Sequence, residues 1–187
     1  MKYHIIRHAQ TNANSMGHLS CEDEEPLNEE GKKQAILLSN YLATLKIDDI
    51  IVSPLPRALA TLKPYCEKTG LKATINPFLA EGMYNLDPNA GIDKPKFENT
   101  GYPAKDETIP QFRGRVNKFI SEIINDTTEG TKVVIAHGQF IRELLNMLLD
   151  AKRYVRWPVG NCSETLLDIQ ADIFIRHVNK NVIQQMH

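Results

Sequence analysis

Cysteine is scarce in these 187 residues: Cys21, Cys66 and Cys162 are the whole complement. They are odd in number, far apart and never in a CxxC pair, which argues against a disulfide framework and a zinc site, and makes a reducing cytoplasm the expected setting. Excess charge of either sign is missing too, since 22 Lys and Arg against 23 Asp and Glu leave a formal net charge of -1. No global field recruits nucleic acid or an anionic membrane, so neither is an expected partner, and any anion site must be local. No apolar run approaches membrane-spanning length. The first residues hold one lysine, a very short apolar stretch and then Arg7, without the long apolar region of a secretory signal. Internal repeats, low-complexity tracts, dividing linkers and coiled-coil heptads are all absent, and oligomeric state is left open.

What is present alternates strand with helix. With 42% hydrophobic residues the chain is large enough for one domain, 1–187, with a substantial core. Tyr3 to Arg7 reads as a buried strand. Ala35, Leu38, Leu42 and Leu45 form a helical stripe within a segment starting at Glu29, and Asp49 to Val52 is a second strand stopped by Pro54 and Pro56. Ala58 to Lys68 reads as helix with a break or kink at Pro64. Thr74 and Ile75 suggest a third strand. A stretch rich in Pro, Gly, Asn and Asp follows, a long loop or lid around 83–110. Phe112, Val116, Phe119, Ile120, Ile123 and Ile124 make another helical stripe, Lys132 to Ala136 a strand apolar on both faces, and Gly138 opens a helix. Ser163 to Ile169 and Asp172 to Val178 read as an antiparallel hairpin at the sheet edge. The expected fold is therefore α/β, a three-layer α/β/α sandwich whose central sheet is mostly parallel with an antiparallel edge strand.

In such sheets ligands bind beyond the carboxyl ends of the strands. The first strand ends in Arg7-His8, the second runs into SPLPRALAT with Arg57, the fourth ends in His137-Gly138, and Glu81 follows the third. Two histidines, two arginines and a carboxylate at one edge suit phosphoryl transfer, which needs spread negative charge matched by fixed cations and N–H donors. Arginine forks bind two phosphate oxygens at once. A histidine among such cations stays neutral and nucleophilic, and a glutamate can protonate the leaving oxygen and later take a proton from water. No metal or other cofactor is required by that scheme.

These blocks resemble the histidine phosphatase superfamily, the phosphoglycerate-mutase-like fold. RHAQTNAN matches its R-H-G-x-T signature with an Asn three residues after the Thr, at Arg7, His8, Thr11 and Asn14. PLNEEGKKQA, SPLPRALAT, LAEGMYN, AHG and NCSETLL match later blocks in family order. The resemblance implies that His8 accepts the phosphoryl group and Glu81 donates the proton. It places Arg7, Arg57 and His137 in the phosphate pocket, with the Asn14 amide and the backbone at Gly138 as further donors. Ala9 departs from the usual glycine, adding a Cβ beside the nucleophile in a residue that resists positive φ. The implied activity is a metal-independent phosphatase acting on a small phosphomonoester. Alternatives are a phosphoglycerate-mutase-type transfer, a weakly catalytic module that binds a phosphorylated ligand, or a phosphatase for protein phosphohistidine.

Other candidates have plainer readings. His4 and His8 lie about 13 Å apart if extended, too far to share an ion. His18, His177 and His187 carry no assignment, and Glu22 to Glu25 read as a solvated loop. Asn14 could instead cap a turn, and Glu107 could stand in for Glu81. Gly31 lacks the companions of a P-loop or dinucleotide fingerprint. Lys94, Lys96, Arg113 and Arg115 could reach a second acidic group or form the wet side of a lid and helix. Tyr84, Phe97 and Tyr102 could line a pocket for a less charged leaving group.

Overall fold

The computed structural model describes residues 1–17, 25–82 and 107–184. Six strands form one sheet in the order β3-β2-β4-β1-β5-β6. Their bounds are β1 Lys2–Arg7, β2 Asp49–Val52, β3 Thr74–Ile75, β4 Thr131–Ala136, β5 Ser163–Ile169 and β6 Ile173–Asn181. Strands β1 to β4 are parallel, and β5 runs antiparallel to both β1 and β6. β5 and β6 thus close one edge as the expected hairpin.

The parallel centre is apolar on both faces because helices cover both. Alternate side chains of β1 and β4, Tyr3, Ile5, Val134 and Ala136, join a core shared with helices α4 (Ile109–Ile124) and α5 (Gly138–Leu148). Ile6, Val133 and Ile135 point the other way, into a core shared with α2 (Glu29–Leu42) and α3 (Pro56–Thr69). Phe112, Phe119 and Phe140 are at most 1% exposed, each burial contributing roughly 1.5–3 kcal/mol. No helix among the described residues is long and apolar enough to cross a membrane.

Several boundaries differ from the sequence reading. α3 begins at Pro56 rather than Ala58 and runs unbroken through Pro64 to Thr69. Proline suits the first turn, where no backbone donor is needed. At Pro64 the missing donor frees the carbonyl of Ala60, a residue only half-buried. Ile124 is 52% exposed and outside the α4 core stripe. Leu45 lies beyond the end of α2 but still packs on its core. Asn12–Ser15, within the polar stretch after His8, form a helical turn α1 capped by Thr11. Glu25 is buried rather than solvated, accepting from the Ala13 amide at 2.7 Å. Cys21, His18, His187, Glu22, Tyr84, Lys94, Lys96, Phe97, Tyr102 and most of the expected lid lie outside the described residues.

Candidate functional site

Strand register assembles the site. β1 pairs with β4 so that Arg7 lies opposite Ala136, and β2 pairs with β4 so that Val52 lies opposite Ile135. The amides of His8 and Ser53 continue these ladders, donating to Ala136 and Ile135 at 2.9 Å each. The next residue on each chain is therefore delivered to one edge, and the rings of His8 and His137 lie 5.0 Å apart.

His8 is 2% exposed, and its Nδ1 sits 2.7 Å from its neighbour's carbonyl, Ala9 O. A carbonyl can only accept, so Nδ1 carries the proton and a neutral ring has its lone pair on Nε2. Burial, then Arg57 and Arg7, hold this imidazole well below its usual pKa, which keeps it neutral. His137 is held down by burial, Arg57, His8 and Arg7 in that order. Its Nε2 lies 2.7 Å from Ser53 Oγ, while its buried Nδ1 has no partner among the described residues.

Two arginines converge on these rings. Arg57, 1% exposed, occupies the first turn of α3. Arg7 donates through Nη1 to the Val159 carbonyl at 2.7 Å, and its buried Nε lacks a partner among the described residues. Burial lowers its pKa, and the Glu81 carboxylate opposes that shift. Gly138 starts α5 against this guanidinium: a Cβ there would lie 3.4 Å from Arg7 Nε. The first amides of α5 have no intrahelical acceptor and point a partial positive charge at the same place.

Glu81 caps that helix. Its Oε1 accepts from the amides of Gly82 (3.1 Å), Gln139 (3.0 Å) and Phe140 (3.1 Å). Among the described residues Oε2 receives only the longer contact from Gln139, 3.3 Å, which leaves it the less committed oxygen. Asn14 does cap a turn: it completes a capping box with Thr11, and its Oδ1 accepts from Asn161 Nδ2 at 2.9 Å. That geometry commits the carbonyl end of the side chain and leaves the amide NH₂ as its donor.

Supporting residues had no role assigned from sequence. Asn161 bridges Asn14 to the His8 carbonyl (3.0 Å), Thr61 accepts from the Ala9 amide (2.9 Å), and Ser53 orients His137. Ser53, Thr61 and Asn161 fall within the quoted family blocks, a signal that could have marked them. Ala9 is absent from the described residues with positive φ, so its extra methyl brings no backbone strain. Arg115 and Glu107 bind each other at 2.6 Å, so the carboxylate of Glu107 is spoken for and Arg115 is no free anion reader. Arg113 pairs with Glu143 at 2.7 Å. His4 and His177 both bind the buried Glu164, on the sheet, at 2.7 Å. Among the described residues no cluster of three or more His, Cys, Asp or Glu is arranged to hold a metal ion.

A family model described as the histidine phosphatase superfamily (branch 1) matches residues 3–180. The chain is 30% identical over 159 residues to a probable phosphatase of Schizosaccharomyces pombe, covering 82% of this chain and 76% of the relative. It is 24% identical over 186 residues to a probable phosphoglycerate mutase GpmB of Cronobacter sakazakii, covering 91% and 86%. A solved structure described as a putative α-ribazole-5′-P phosphatase from Escherichia coli matches with a TM-score of 0.78 at 23% identity. That match covers 96% of this chain and 97% of that one, a likeness of fold.

Proposed function

The chain belongs to the histidine phosphatase superfamily (branch 1), and from that premise we propose that it hydrolyses a small phosphomonoester through a phosphohistidine on His8. One observation carries the reading: a buried imidazole, its Nδ1–H committed to Ala9 O, lies within the electrostatic influence of Arg57 and Arg7 with Nε2 as its basic nitrogen.

In the first step Nε2 attacks phosphorus, the bond from phosphorus to the ester oxygen breaks, and Glu81 gives that oxygen a proton. In the second, Glu81 takes a proton from water, the water oxygen bonds to phosphorus, and the bond to Nε2 breaks, releasing phosphate and restoring His8. Arg7, Arg57 and the Gly138 amide, the one among the first three of α5 not donated to Glu81, match the charge on the equatorial oxygens. The Ser53 hydroxyl, 2.7 Å away, can donate to His137 Nε2, and in that tautomer the unpartnered Nδ1–H is the donor for a phosphate oxygen. The NH₂ of Asn14 adds another donor. These side chains and amides supply the positive charge, so no metal enters the scheme.

The test is phosphate release in chelator from a panel of phosphate esters, by wild type and by His8→Ala. Release by wild type that disappears in the variant is expected. No release from any ester, or release that survives in His8→Ala, would overturn the proposal.

The resemblance to a probable phosphoglycerate mutase favours a second reading, in which the phosphohistidine returns its group to another hydroxyl. Conversion of 3-phosphoglycerate to its isomer without phosphate release would select it.

A further inference from the structure

We propose that Arg115, on α4, is a positioning residue for Glu81, the guanidinium that fixes the proton donor's backbone in reach of the phosphate pocket. This rests on the role proposed above for Glu81. The stretch that carries Glu81 has little structure of its own: after a single 3₁₀ turn at Pro77–Leu79, residues 80–82 belong to no strand or helix. Three of its carbonyls converge on one side chain instead. Arg115 Nη1 donates to Phe78 O at 2.7 Å and to Ala80 O at 2.8 Å, and Nη2 donates to Glu81 O at 3.3 Å.

The remaining donors go to Glu107, Nε to Oε1 at 2.6 Å and Nη2 to Oε2 at 2.8 Å, a two-point pairing that balances the buried charge and fixes the plane of the fork. Beneath it the guanidinium lies 4.8 Å from the centre of the Phe112 ring. The same ring supports Gly82, where an added Cβ would fall 2.9 Å from it. Phe112 and Arg115, three residues apart on α4, thus form a platform under the 78–82 backbone. From there the Glu81 side chain reaches the first amides of α5. Arg115 touches neither His8 nor the phosphate pocket, and it acts through the loop.

Lysine at 115 keeps the charge, which also bears on His137, but a single ammonium cannot hold three carbonyls and a carboxylate in one plane. The diagnostic measurement is kcat/KM, which reports only the steps up to the phosphohistidine, on two esters: an alkyl phosphate, whose alkoxide must be protonated as it leaves, and a nitrophenyl phosphate, whose phenolate need not be. A displaced acid slows the first and spares the second, whereas a general loosening of the fold slows both alike.

For Arg115→Lys the expected loss is about 10- to 100-fold on the alkyl ester and less than about 3-fold on the aryl ester, part of the effect ascribed to a general acid. Glu81→Gln should show the same selectivity more strongly. Glu107→Gln, which keeps an acceptor for Nε but loses the balancing charge, should show it more weakly, and serves in place of Arg115→Lys if that variant does not fold. Equal losses on the two esters, or none, in both the Arg115 and Glu107 variants would overturn the inference. If those losses accompany a selective Glu81→Gln, the proton-donor reading survives alone. A Glu81→Gln that slows both esters equally overturns both.

Discussion

Ala9 follows the buried imidazole of His8 where the family pattern has glycine, and it shows how one side chain can be both a departure and a fit. Its methyl is fully buried in the core shared with α2 and α3, its φ is not positive, and its amide is held by Thr61. Ala9→Gly should therefore leave phosphate release within about twofold of wild type. It should cost about 1–2 kcal/mol of stability, from the lost methyl and the freer unfolded chain, as a denaturant titration would read. A gain in stability would show that the methyl is strained. The gathering of His8, Arg7, Arg57, His137 and Glu81 as a candidate site was legible because each follows a strand end and their blocks keep family order. Arg115 and Glu107 were not, because an exposed and a buried arginine on a helix look alike in sequence. What separates them is the set of carbonyls that tertiary structure brings to one guanidinium.

Elements carry that information to the site through close packing. The first turn of α2 lies against the backbone just beyond His8: Asn28 caps the helix through the Gly31 amide, and its own amides reach Gln10 O, Gln10 Oε1 and Thr11 O. Gly31 makes this contact possible, since a Cβ there would fall 2.0 Å from Gln10 O, a backbone atom that cannot swing aside. Gly31→Ala should cost about 3 kcal/mol by overpacking and lower kcat as well, because the displaced backbone is two residues from His8. Gly114, exposed within α4 with nothing near its missing Cβ, is the control. Gly114→Ala should add about 0.5–1 kcal/mol through helix propensity alone. Thermal melts of the two variants should move in opposite directions, and a neutral Gly31→Ala would refute the packing argument. The six strands and three of the longer helices were legible to within three residues, because hydrophobic spacing sets them. The start of α3 was not, because a Pro-Leu-Pro run reads as punctuation until its second proline is seen at the first position of a helix. The turn α1 escaped because a four-residue helix has no periodicity to read.

For the molecule as a whole, a site that keeps two imidazoles neutral has a consequence for stability against pH. Both His8 and His137 have pKa values well below the ordinary one of about 6.5. In the unfolded chain they take up protons once the pH drops through that value, whereas in the folded protein they do not. The unfolded state then binds more protons, and stability falls on acidification by up to about 1.4 kcal/mol per pH unit for each histidine, until the folded values are reached. A separate loss begins lower. The carboxylates of Glu164, with donors from His4, Tyr41 and His177, and of Asp126, with donors from Tyr3, Thr128 and Lys132, are held below their usual range. Their contribution is complete above the unfolded carboxylate value of about 4 and disappears as the pH falls through the depressed folded values. Unfolding titrations should thus show a decline that starts between pH 7 and 6, well before the carboxylate window. His8→Asn, which cannot titrate, should reduce the slope between pH 6 and 5 by about half, as expected if two buried imidazoles contribute equally. A wild-type stability that stayed flat from pH 7.5 to 5 would mean that the imidazoles take up protons in the folded state as readily as in the unfolded one. The neutral nucleophile on which the proposed chemistry depends would then be lost with it.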